Sequence, residues 1–87
     1  MNPYTIRIEH RAEKELRALP SKILKRVDAA IGKLSLNPHP RGAVKLKGLA
    51  EEGWRIRVGD YRILYRIVDE EHVIEIYRIK HRGQVYR

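Results

Sequence analysis

The sequence predicts an α+β fold in which a helical hairpin packs on one face of a small, mainly antiparallel twisted sheet, in the order β-α-α-β-β-β. Three observations predict it. Trp54–Arg66, reading W-R-I-R-V-G-D-Y-R-I-L-Y-R, alternates with period two on both sides of Gly59-Asp60, the mark of two strands joined by a tight turn that needs positive φ. Before it, residues 10–36 carry helical spacing interrupted at Pro20. After it, residues 72–80 return to alternation.

In chain order, Tyr4 to Ile8 is a short strand, and Pro3 limits it to a sheet edge or a strand start. His10 to Leu19 is a helix whose apolar stripe is Ala12, Leu16 and Leu19. Pro20 ends it, and Ser21 is the expected N-cap of a second helix running to Leu36. Ile23, Val27, Ala30, Ile31 and Leu34 form the stripe of that helix. Asn37 to Gly42 is a loop. Ala43 to Leu49 alternates again, with Val44 and Leu46 expected to turn inward and Lys45 and Lys47 outward.

With Gly59-Asp60 as the loop, Trp54 faces Tyr65, Ile56 faces Ile63 and Arg57 faces Arg62. One face then holds Trp54, Ile56, Val58, Tyr61, Ile63 and Tyr65. The other holds Arg55, Arg57, Arg62 and Arg66, with Leu64 its sole apolar member. A turn at Glu70-Glu71 pairs Arg66 with Glu75, Tyr65 with Ile76 and Leu64 with Tyr77. This register leaves Arg78 on the core side unless a bulge intervenes.

The chain of 87 residues, 43% hydrophobic, suffices for a single domain over residues 1–87. A net charge of +8 and a pI of about 10.1 point towards a polyanionic partner. No run is long and apolar enough to span a bilayer, so no membrane partner is expected. The absence of cysteine excludes disulfides, thiolate metal sites and a cysteine nucleophile. The first residues lack the apolar core of a signal peptide, which gives a cytoplasmic expectation. His10, His39, His72 and His81 show no ligand spacing, so neither metal nor cofactor is expected.

Opposed guanidinium groups destabilise a sheet, so three or four on one face suggest a surface that meets an anion. A merely solvated basic face is the competing reading. The gathering of acids elsewhere, at Glu51-Glu52 and Asp69-Glu70-Glu71, favours a site. The tail from His81 and Arg82 to Tyr86 starts where the last strand returns to the Arg57/Arg62 end. RNA can be cleaved without metal when its 2′-hydroxyl attacks the adjacent phosphorus; the protein must then orient the nucleotide, move protons and balance phosphorane charge. Arginine suits the charge balance because it forms bidentate bonds to phosphate, but it cannot act as a base. His81, Tyr86, Lys45 and Lys47 are the proton-transfer candidates, and Tyr77 or Tyr86 could stack on a base.

W-R-I-R-V-G-D-Y-R-I-L-Y-R-I, followed by H-V-I-E-I-Y-R-I-K-H-R-G-Q-V-Y, resembles the RelE branch of the RelE/ParE toxin superfamily over essentially the whole chain. The resemblance implies the toxin of a type II toxin–antitoxin pair, a metal-independent endoribonuclease that cuts messenger RNA in the ribosomal A site. It further implies a cognate RelB-like antitoxin, with operator DNA reached only through the antitoxin complex. By the same resemblance Arg62 contacts the scissile phosphate, Arg82 stabilises the transition state or assists the leaving group, and Tyr86 orients the nucleotide. Arg55 and Arg57 fall where some members carry lysines, one of them proposed as the base; arginine at both shifts that role towards His81. Lys45, Lys47, Arg55, Arg57 and Arg66 are the expected RNA-binding residues. A ParE-like gyrase inhibitor and a non-catalytic RNA- or ribosome-binding module are the alternatives.

Overall fold

The computed structural model describes residues 2–48 and 51–83. Its elements are β1 (Thr5–Ile8), α1 (His10–Arg17), α2 (Ser21–Leu36), β2 (Val44–Lys45), β3 (Trp54–Val58), β4 (Tyr61–Val68) and β5 (Val73–His81). They form an α+β architecture with a five-stranded sheet in the order β1-β5-β4-β3-β2. The short β2 makes one strand more than the predicted order counts. β1 lies at the edge, as Pro3 requires, and runs parallel to β5, pairing Ile6 with Ile74 and Ile8 with Ile76. Every other pairing is antiparallel. α1 ends at Arg17, two residues early, and Ser21 is the first residue of α2 rather than its cap.

The β3–β4 hairpin has the register read from the sequence, from Trp54 opposite Tyr65 to Val58 opposite Tyr61. Gly59 takes φ 58° while Asp60 stays out of the positive-φ region, the pattern of a type II′ turn. The β4–β5 pairing holds Arg66 against Glu75 and Tyr65 against Ile76, but Leu64 faces Arg78, not Tyr77. Tyr77 is the extra residue of a bulge. Inserting it moves Arg78 off the core face and puts Ile79 opposite Ile63, where it is 3% exposed. The bulge thus resolves the conflict between a one-residue register rule and a charged side chain. The turn into β5 is a short 3-10 segment, Asp69–Glu71, closed by His72 at φ 56°.

Period-two and period-3.6 stripes meet in one core. Ala12 of α1 and Val27, Ile31 and Leu34 of α2 pack against Ile56, Val58, Ile63, Tyr65, Ile74, Ile76 and Ile79. Trp54 and Tyr61 lie half-buried against this cluster. Tyr65 is fully buried, and its hydroxyl donates to the Pro38 carbonyl at 2.8 Å, which pins the loop after α2 to the sheet. Burial pushes the Tyr65 phenol up from 10.0 to about 12. A phenol held neutral in the fold contributes stability that is complete below its unfolded value near 10 and is lost as pH rises through about 12. Tyr65→Phe is therefore expected to lower stability by about 1 kcal/mol at neutral pH. Its deficit should narrow as thermal melts are moved from about pH 9 to about pH 12; a constant deficit would contradict the assignment.

The opposite face of the sheet is covered in part: residues 51–53, ahead of β3, lie across it. Leu46 N–H donates to the Gly53 carbonyl at 2.8 Å. Glu52 N–H donates to the Tyr77 hydroxyl at 3.0 Å, and that hydroxyl donates to the Glu52 carbonyl at 2.6 Å. The Lys80 ammonium pairs with Glu51 at 2.7 Å. Leu64, on this face, is only 1% exposed. Gly53 permits the crossing, since its φ is 86° and a Cβ there would overlap the Tyr65 carbonyl. The acids of Glu51-Glu52 thus lie on the basic face, not apart from it.

Candidate anion site at the hairpin end

The strand pairing sorts the arginines. Arg57 and Arg62 stand directly opposite each other at the turn end of β3 and β4, and Arg55 stands opposite Leu64 on the same face. Burial, then the charges of Arg57 and Arg62, lower the Arg55 pKa from its ordinary value. No ion pair holds Arg55, Arg57 or Arg62 among the described residues. Arg62 Nε is buried and has no hydrogen-bond partner among the described residues. A buried unpaired donor beside two like charges is costly, and an anion on the same guanidinium would offset the like charge.

Arg82 completes the group. Because β5 runs back antiparallel to β4, it ends beside the hairpin turn. There Arg82 N–H donates to the Asp60 carbonyl at 2.8 Å, and its guanidinium lies 3.7 Å from the Asp60 carboxylate. Arg57, Gly59, Asp60, Tyr61, Arg62 and Arg82 line a cavity of about 240 Å³. This is small for a buried organic ligand and suits a phosphodiester held by guanidinium forks.

The remaining expected site residues are placed elsewhere. Arg66 does not join the cluster: its guanidinium meets Glu9 at 2.9 Å, Glu52 at 3.1 Å and Glu75 at 3.5 Å. Burial works to lower its pKa, but hydrogen bonds to Glu9 and Glu52 more than offset this, so the net shift is upward. It also lies over the Tyr77 ring at 4.1 Å. Tyr77 is thus committed to Arg66 and Glu52 and is not presented for base stacking. Lys45 pairs with Trp54, and Val44 with Arg55, so the faces of β2 are the reverse of those expected. Lys45 is exposed on the helix side, at the sheet edge, and Lys47 is exposed in the following loop. His81 faces Tyr61 across β4–β5, its ring edge-on to that tyrosine at 5.0 Å; its strand position alternates with the Arg62 side. Tyr86 lies outside the described residues.

Asp60 is a site residue that the sequence reading missed. Its signal was the return of the chain from Lys80 to the turn, which brings a turn residue beside the residue after β5. No group of His, Asp or Glu among the described residues is arranged to hold a metal. None of the described helices is long and apolar enough to cross a membrane.

Comparison with known proteins decides the family. Residues 6–86 match the model of the ParE toxin of type II toxin–antitoxin systems. The chain belongs to the RelE/ParE toxin family. Within this family it is 41% identical to Toxin RelG of Mycobacterium tuberculosis, over 98% of each chain. It is 38% identical to Toxin RelE of the same organism, over 99% of this chain and 89% of the relative. The toxin–antitoxin complex RelBE2 from M. tuberculosis contains a chain of the same fold, with TM-score 0.80, 39% identity and 95% of each chain covered. The archaeal RelE–RelB complex from Pyrococcus horikoshii gives TM-score 0.81 at 31% identity, covering 94% of this chain and 98% of that one.

Proposed function

We propose that this RelE/ParE-family toxin is a ribosome-dependent endoribonuclease that cuts messenger RNA in the A site and so inhibits translation. The observation that carries the reading is the convergence of Arg57, Arg62 and Arg82 on one cavity, with no carboxylate paired to Arg57 or Arg62 among the described residues. The 2′-oxygen forms its bond to phosphorus as the bond to the 5′-oxygen breaks, leaving a 2′,3′-cyclic phosphate and a 5′-hydroxyl. Arg62 and Arg82 bind the non-bridging oxygens, and Arg57 and Arg55 add to the positive potential that balances the developing charge. In this reading the arginines supply that charge without a metal or cofactor. His81, at the same end of the sheet but beside Tyr61 on the other face, is the proposed proton-transfer group. Tyr86 is assigned the orienting or stacking role. Lys45 and Lys47 contact ribosomal RNA backbone. Arg66 is excluded from the RNA-binding set because its charge is already met three times over.

The relatives solved as RelE–RelB complexes support a cognate RelB-like antitoxin as partner. Contact with operator DNA, only through that complex, and action in the cytoplasm belong to the same proposal. A ParE-like gyrase inhibitor is the second reading, favoured by the ParE description of the matching family. Primer extension on a message translated in a cell-free system separates them. Wild-type protein is expected to give in-frame cuts that vanish with the Arg62→Ala/Arg82→Ala double variant. Intact message with both proteins, accompanied by loss of gyrase supercoiling activity, would favour the second reading.

A further inference from the structure

The hairpin turn carries a carboxylate in the middle of an arginine cluster, which electrostatics alone would explain as partial neutralisation. Its geometry is more selective. Asp60 contacts Arg82 twice, through its backbone carbonyl to Arg82 N–H at 2.8 Å and through its carboxylate to the guanidinium at 3.7 Å. Among the described residues it forms no ion pair with Arg57 or Arg62, although all three line the same cavity. At 3.7 Å the pairing is a charge contact, longer than a hydrogen bond, so the N–H fork of Arg82 stays available to a ligand. Both side chains are largely exposed, 71% for Arg82 and 62% for Asp60, which makes the pair a poor source of stability and leaves placement as its physical consequence. Arg82 follows the last strand directly, so no ladder beyond His81 fixes it among the described residues.

We propose that Asp60 is a positioning residue: it anchors Arg82 to the β3–β4 turn and holds its guanidinium over the anion cavity beside Arg57 and Arg62. The inference rests on the nuclease reading for its catalytic consequence, while the anchoring itself is independent of it. The carbonyl contact fixes where the Arg82 backbone leaves the sheet. The carboxylate selects guanidinium orientations that point across the turn and opposes repulsion by Arg57 and Arg62. A phosphodiester entering the cavity then meets a pre-placed fork.

The test uses Asp60→Asn, which keeps the shape of the side chain and a residue type that turns accept but removes the charge. Single-turnover cleavage on programmed ribosomes should slow roughly tenfold to a hundredfold, with the concentration for half-maximal rate changed by no more than about twofold. Asp60→Glu should restore most of the rate. In an Arg82→Ala background Asp60→Asn should cost nothing further, because a residue acting through Arg82 has nothing left to position. An equal cost in that background would overturn the proposal by showing that Asp60 acts on its own. Relaxation of the Arg82 side-chain Nε–H, measured by ¹⁵N NMR on the free toxin, gives a readout without activity: Asp60→Asn should loosen it. Unchanged relaxation would overturn the anchoring. If wild type cuts no message yet Arg82 loosens in Asp60→Asn, the nuclease reading fails and the anchoring stands.

Discussion

Replacing Arg62 by methionine is expected to cripple message cleavage while raising the stability of the toxin. The two effects share one cause. Arg62 stands opposite Arg57, its Nε is buried without a partner, and no carboxylate among the described residues neutralises it. A group selected for the fold would not be left so. Methionine keeps the apolar stem and removes both the repulsion and the unpaired donor, each of which opposes folding. A gain of about 1 kcal/mol is expected, read as a rise of roughly 4–8 °C in Tm for a domain of this size. Cleavage should fall by about 10²–10³-fold, the usual cost of losing one preorganised charge-stabilising group. Loss of cleavage with a lower Tm would assign Arg62 a structural role instead. Arg66→Met is the informative contrast: it would strand Glu9 and Glu52 and leave Glu75 only its pair with Arg7, so its Tm should fall.

The second large effect is Gly53→Ala. Gly53 combines φ 86° with a backbone approach that leaves no room for a Cβ against the Tyr65 carbonyl. An alanine there meets left-handed strain of about 1–2 kcal/mol and a clash with main chain that cannot rotate away. A total loss of about 3 kcal/mol or more is expected, a drop in Tm of at least roughly 12 °C. Gly42→Ala is the control. Gly42 has nearly the same φ, 91°, but open space around it, so only the strain should be felt. If the two alanine variants melt together, the β2–β3 loop does not press on the sheet as described. If Gly53→Ala melts far lower, the loop is an integral cover of the Leu64 face.

The β3–β4 hairpin was legible because a period-two pattern and a turn that needs positive φ both fix the same register. The core residues of both helices were legible for a similar reason, through spacing at three and four. The parallel pairing of β1 with β5 was not, since a strand of four residues does not say which neighbour it takes. The reversed faces of β2 follow from a one-residue difference in register, which flips Lys45 and Val44 together. Arg57, Arg62 and Arg82 could be brought to one place by hairpin geometry and the direction of the last strand. Arg66 could not be told apart from them by pattern. Its partners come from the start of α1, the β2–β3 loop and β5, and Glu9 lies 57 positions away in the chain. Asp60 reads in the sequence only as a turn residue, and it is the pairing of β5 with β4 that brings Arg82 against it.

The arginine cluster at the hairpin end is proposed to serve cleavage of RNA by its own 2′-hydroxyl. The most direct measurement uses purified ribosomes programmed with two messages, identical except that the A-site codon of one carries 2′-deoxynucleotides. Wild-type toxin is predicted to cut the all-ribose message, leaving a 2′,3′-cyclic phosphate, and to leave the deoxy-substituted message whole. Equal cutting of both messages, or of neither, would contradict the account.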